Sequence, residues 1–126
     1  TLMPLTYTHG VLKDRLTLEE MCMKLSTNPA RIMGLYPRKG VIQAGADADV
    51  AIWDPRLNKA VRADDDLSKS DYSPYEGWSV TGWPVVVLRR GEVVVEEGRV
   101  VGAAGSGVLA PRRPWSPGVM KDAERK

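Results

Sequence analysis

The chain has 126 residues, 43% hydrophobic and 27% charged, with a net charge of +2. This supplies the apolar material of one ordinary domain and excludes a chain disordered by charge imbalance. Five basic and two acidic side chains fall in residues 111–126, so the remaining body nets −1 and lacks the basic footprint of a nucleic-acid binder.

One cysteine, Cys22, excludes an internal disulfide, and nothing points to an oxidising compartment. No apolar run approaches the roughly 18 residues of a bilayer span, and no signal-peptide pattern opens the chain. A soluble protein in a cytoplasmic setting, with no membrane partner, is expected. Thr1 in place of an initiating Met suggests a processed chain or a piece of a longer one.

In chain order, the first strong signal is Thr17-Leu18-Glu19-Glu20, where a Thr hydroxyl and a Glu three residues on form a capping box and start a helix. Leu18, Met21, Cys22 and Leu25 share the face expected to be buried. Ser26-Thr27-Asn28-Pro29 is expected to interrupt that helix and begin another with Asn28 as cap, because Pro at the first helical position loses no needed N–H. Gly34 should close this second helix, and Pro37 blocks its continuation. Val41-Ile42 and Val50-Ala51-Ile52-Trp53 read as short strands between Gly40, Gly45 and Pro55.

Residues 56–84 carry little periodicity and read as a long loop, although Tyr72, Tyr75, Trp78 and Trp83 are half of the chain's aromatic residues. Residues 85–101 then form a three-stranded antiparallel meander around the turns Arg90-Gly91 and Glu97-Gly98, with valine runs that imply burial on both faces. Residues 103–126, rich in Ala, Gly, Ser and Pro, read as an extended or disordered arm. A lone valine meander with two short helices leaves apolar edges exposed, which implies that the chain buries surface against something else.

The candidate chemistry is sparse. His9 and Cys22 are the only imidazole and thiol, so a nucleophile pair would have to be these two. Cys22 on an apolar helix face is more simply an inert buried thiol, and His9 in Thr8-His9-Gly10 a surface or turn residue. Asp64-Asp65-Asp66 lacks the alternating ligands and central Gly of a calcium loop and reads as a solvated turn. Asp47 and Asp49 read as flanking a tight turn that starts a strand. Gly102-Ala103-Ala104-Gly105-Ser106-Gly107 follows a strand, but no helix pattern succeeds it, so it fails as a dinucleotide loop.

Two motifs carry a resemblance. Leu25-Ser26-Thr27-Asn28-Pro29-Ala30-Arg31-Ile32-Met33-Gly34-Leu35-Tyr36-Pro37-Arg38-Lys39-Gly40, followed by Gly45-Ala46-Asp47-Ala48-Asp49-Val50-Ala51-Ile52-Trp53-Asp54-Pro55, resembles the C-terminal part of the amidohydrolase superfamily. Asp71-Tyr72 and Pro74-Tyr75-Glu76-Gly77-Trp78-Ser79-Val80-Thr81-Gly82-Trp83-Pro84 is similar to its dihydropyrimidinase and D-hydantoinase branch, the likeness covering residues 2–109.

The resemblance implies an α/β fold: the C-terminal piece of a (β/α)8 metal-dependent hydrolase barrel, plus antiparallel strands of a flanking β-sandwich. Residues 1–38 would be the last loop and closing helices of the barrel, 39–102 the sandwich part, and 103–126 an arm that contacts neighbouring subunits. It implies a parent enzyme with a binuclear zinc site that hydrolyses a cyclic amide such as a dihydropyrimidine or hydantoin, and a homo-oligomer, tetramer or dimer. A non-catalytic scaffold of the dihydropyrimidinase-related kind, or another cyclic amidase such as an allantoinase, is the alternative.

The family's metal ligands lie upstream of the matched segment, so no catalytic, cofactor-binding or metal-binding residue is carried onto this chain, and the fragment is expected to be inactive alone. His9 departs from the pattern by standing where members often carry an acidic residue. The aromatic cluster is expected to pack between sandwich and barrel, or at a subunit contact.

Overall fold

The computed structural model describes residues 1–65 and 70–114; Asp66 and the part of the expected arm from 115 to 126 lie outside the described residues. Helix α1, Leu2–His9, opens the chain and runs into a 3-10 turn at Val11–Lys13. The sequence offered no signal for α1, because its apolar residues follow no helical stripe. His9 is therefore the last residue of a helix rather than part of a loop.

Helix α2, Leu18–Cys22, starts at the expected capping box. The Thr17 hydroxyl accepts from Glu20 N–H at 3.1 Å and the Glu20 carboxylate accepts from Thr17 N–H at 2.8 Å, which satisfies two otherwise orphaned donors.

The expected interruption at Ser26–Pro29 is not a break. A π turn over Met23–Thr27 joins α2 to α3, Asn28–Ile32, and Asn28 N–H reaches back five residues to Met23 O. Pro29 has no N–H to offer the Leu25 carbonyl, and a widened turn ahead of it keeps the chain helical. Asn28 consequently has no helix end to cap; its backbone is helical and its Oδ1 is buried without a partner.

The face predicted to be buried is also corrected. Met21 is 3% exposed, but Leu18 is 52% exposed and Cys22 is exposed, because only one side of α2 is covered by other described residues. Gly34 does end the run, with φ +68 just after the last helical turn.

Val41-Ile42 is not a strand. Asp47 N–H bonds to Arg38 O at 2.8 Å and folds residues 38–47 into a loop, on which Ile42 is 86% exposed. The sheet has four antiparallel strands in the order β1-β2-β3-β4: β1 Val50–Ala60, β2 Ser79–Arg89, β3 Glu92–Glu96 and β4 Arg99–Val100.

Thus the meander is present, but the expected loop 56–84 is shorter, because Asn58–Ala60 pair with Ser79–Thr81. The periodicity was hidden by bulges: the β1–β2 register shifts at Ile52/Trp53 and at Asp54/Asn58, next to Pro84 and Pro55, which cannot donate to a ladder. Residues 61–78 leave the sheet through a neck where Val61 N–H bonds Trp78 O and Gly77 N–H bonds Val61 O, each at 2.9 Å.

Both hairpin turns have positive φ at both central residues, Arg90 (50°) with Gly91 (85°) and Glu97 (49°) with Gly98 (79°), the hand that matches strand twist. The valines are not buried on both faces: Val93 is 42% and Val100 55% exposed. The buried hydrophobic side chains among the described residues are Met21 and Ala30 in the helices, Val61 just after β1 and Val80 at the start of β2.

The arm is anchored as far as it is described, since Arg113 N–H donates to Gly34 O at 2.9 Å. Thr17→Ala removes the hydroxyl half of the capping box and should lower stability by about 1 kcal/mol in urea unfolding; an unchanged midpoint would show that α2 does not depend on its cap.

Candidate functional site

The place where distant parts of the chain meet is the seat of α1 on β2. The Thr8 hydroxyl accepts from Thr81 N–H at 2.8 Å and donates to Thr81 O at 3.1 Å, taking both main-chain groups of one strand residue as a neighbouring strand would. Beside it, Tyr7 meets Trp53 edge-on, with ring centroids 6.0 Å apart and planes at 72°.

These two rings close over Gly82, whose φ is +84. A Cβ there would stand 2.6 Å from the Trp53 ring and 2.8 Å from Tyr7, so the position admits only glycine. Trp53 Nε1–H is left buried without an acceptor.

The aromatic residues of 70–84 divide between two surroundings. Trp78 meets His9 and Tyr75 edge-on, each at 5.4 Å, at interplanar angles of 72° and 74°. Trp83 lies under the Lys59 ammonium, 5.6 Å from the ring centroid, and its Nε1–H donates to Val80 O at 3.3 Å. Tyr72 is 70% and Trp78 48% exposed, so the cluster is only partly packed by this chain.

A second constellation is electrostatic. Asp47 pairs with Arg38 and with Lys39, each at 3.0 Å, while Lys39 also contacts Asp49, whose other carboxylate oxygen accepts from Arg90 N–H at 2.8 Å. The expected turn is therefore held by charge pairs as well as by backbone geometry. The hydrogen bond from Lys39 holds the carboxyls of Asp47 and Asp49 below their ordinary 3.8, and the bond to Asp49 raises Lys39 above its ordinary 10.5.

The other candidates do not assemble. His9 faces Trp78, Cys22 is exposed on α2, and the two share no hydrogen bond. Asp64 and Asp65 lie in an exposed 3-10 turn at Ala63–Asp65, and Asp66 lies outside the described residues. Gly102 bonds through its N–H to Val94 O at 3.2 Å. Among the described residues no three His, Cys, Asp or Glu side chains are grouped to hold a metal ion, and no helix is long and apolar enough to cross a membrane. The missed residues, Thr8, Tyr7 and Trp53, had one signal in the sequence: a glycine, Gly82, inside a strand.

A mixed α/β unit with helix α1 seated on a four-stranded antiparallel sheet is the class that this geometry defines. Residues 2–94 match the amidohydrolase family, and the chain belongs to that family.

It is 43% identical over 109 residues to a D-hydantoinase of Geobacillus stearothermophilus, covering 86% of this chain and 23% of the relative. It is 42% identical over 115 residues to an L-hydantoinase of Paenarthrobacter aurescens, covering 91% and 25%. Among solved structures, the D-hydantoinase from Bacillus sp. AR9 superposes with a TM-score of 0.86 at 37% identity, over 90% of this chain and 25% of that one. The dihydropyrimidinase from Brevibacillus agri NCHU1002 superposes with a TM-score of 0.84 at 34% identity, over 89% and 25%. The chain thus spans about a quarter of the length of these relatives.

Two outcomes follow. Gly82→Ala should lower stability by at least about 2 kcal/mol, from positive φ and collision with two rings, and the near-isosteric Thr8→Val by about 1–2 kcal/mol. Urea unfolding measures both, and losses under about 0.5 kcal/mol would remove α1 docking from the fold's requirements.

For the charge cluster, depressed carboxyl values mean stabilisation that is present above the ordinary 3.8 and lost as pH falls through the folded values, whereas the raised lysine value means stabilisation lost only as pH climbs past 10.5. Lys39→Met should reduce stability at pH 7 and flatten the acid-side decline. Parallel acid curves for the two proteins would contradict this.

Proposed function

We propose that this chain is the C-terminal portion of a dihydropyrimidinase- or hydantoinase-type enzyme that hydrolyses the ring amide of a dihydropyrimidine or hydantoin, and that it is inactive alone. In this reading residues 1–38 close a (β/α)8 barrel, 39–102 contribute strands to a β-sandwich, and 103–126 form an arm toward a neighbouring subunit of a homo-oligomer. The observation that carries the proposal is the superposition of 90% of this chain on one quarter of a D-hydantoinase at 37% identity.

The exposed apolar side chains agree with it. Leu18 and Ile32 on the helices, Met33 at the end of α3, and Val93 and Val100 on the sheet, are each between 42% and 55% exposed, the kind of surface that a larger body covers.

A binuclear zinc centre does not fit the donors of this chain, which has one His and one Cys, and no grouped trio of ligands among the described residues. The metal ligands are assigned to the rest of a longer protein. The part played by this chain is to hold a rigid seat, α1 against β2, beside the catalytic body.

The purified chain, supplied with zinc, should open neither dihydrouracil nor hydantoin above the uncatalysed rate; zinc-dependent turnover would refute the assignment of the catalytic groups elsewhere. Co-expressed with a Bacillus D-hydantoinase lacking its equivalent quarter, the chain should restore hydantoin hydrolysis. A soluble complex without activity would count against the cyclic-amidase reading.

A further inference from the structure

We propose that Arg89, Arg90 and the glycine-rich segment 102–107 form a binding site for a phosphate-class oxyanion. Arg89 ends β2 and Arg90 opens the turn after it, and both guanidinium groups converge on Ser106. Nη2 of Arg89 donates to Ser106 Oγ at 2.5 Å, and Nη2 of Arg90 donates to Ser106 O at 3.0 Å.

Among the described residues neither guanidinium pairs with a carboxylate. Glu92, the register partner of Arg89 across the turn, is exposed and forms no ion pair with it. Asp49 accepts the Arg90 backbone N–H, but its charge is matched by Lys39.

The vacancy is in the hydrogen bonding of Arg89. Nε–H and Nη2–H lie on one edge of a guanidinium, the edge that grips two oxygens of an oxyanion side by side. One half of that edge in Arg89 is filled by Ser106 Oγ, while the other half, Nε–H, is buried without an acceptor. A buried donor of a cationic group with no acceptor is costly, and the exposed Arg90 beside it adds a second positive charge with no carboxylate partner. An oxyanion satisfies both, and Ser106 Oγ stands where one of its oxygens would sit.

The segment can make room. Gly105 has φ +74, and neither Gly105 nor Gly107 has any atom within 4 Å of the position a Cβ would take. A shift of this segment would free the Ser106 hydroxyl, which now donates to Ala103 O at 2.5 Å, to donate to the anion instead. The sequence pattern that fails as a dinucleotide loop for want of a helix thus gains its positive charge from the hairpin beneath it.

The test is a titration of the full 126-residue chain, carrying isotope-labelled arginine, with inorganic phosphate at constant ionic strength. The Arg89 Nε–H resonance should move saturably with phosphate and stay in place with chloride. Arg90→Gln should raise the half-saturating phosphate by roughly tenfold and Ser106→Ala by a few fold. A resonance that stays still, or that moves alike in phosphate and chloride, overturns the site, and this comparison needs only the unsubstituted chain.

Discussion

The structure depends on one contact between the first turns of the chain and a strand that begins some seventy residues later. Thr8 uses a single hydroxyl to satisfy both main-chain groups of Thr81, so helix α1 takes the place that another strand would occupy along that stretch of β2. Gly82 makes the approach possible, because any side chain at that residue would enter the space of the Tyr7 and Trp53 rings. Val80, fully buried two residues earlier, shows how tightly this part of the sheet is covered. Loss of the contact would leave α1 without a seat and the start of β2 open to water.

The remaining ties serve the same end, converting a chain of short elements into one body. Lys39 draws Asp47 and Asp49 together, and Asp49 holds the backbone of the β2–β3 turn at Arg90, so the loop after the helices is fastened to the far end of the sheet. Thr27 donates to Gly40 O at 2.7 Å and anchors the other end of that loop to the helical run. Arg113 returns to the end of α3 at Gly34, where φ +68 and a carbonyl 2.0 Å from any would-be Cβ exclude a side chain. Polar contacts carry this load together because few apolar side chains among the described residues are buried, although each surface pair contributes little individually.

This division of labour agrees with the role proposed above, in which an amidohydrolase-family chain shapes part of a larger body and the reactive groups lie elsewhere. Sequence reading reached the family through two motifs, and the structure shows what several of their residues do. Asp47 and Asp49 are the acceptors of Lys39, Gly82 is the gap under two rings, and Trp78 is a surface on which His9 rests. His9, expected from the resemblance to depart from the family pattern, meets the Trp78 ring edge-on.

The features legible in the residues were local or compositional: the capping box at Thr17, the stop at Gly34, the two tight turns of the meander, and the single His and single Cys. Each depends on residues within a few positions of one another, or on composition alone, so no partner was needed to read it. The rest depends on segments far apart in the chain. Helix α1 has no amphipathic stripe because it is held through Thr8 from a residue 73 positions away, and the ends of β1 and β2 were masked by bulges at Pro55 and Pro84. The exposure of Leu18 and Cys22 follows from which side of α2 another part of the chain covers. Periodicity records where apolar residues lie along a segment, whereas burial depends on what arrives from elsewhere to cover them.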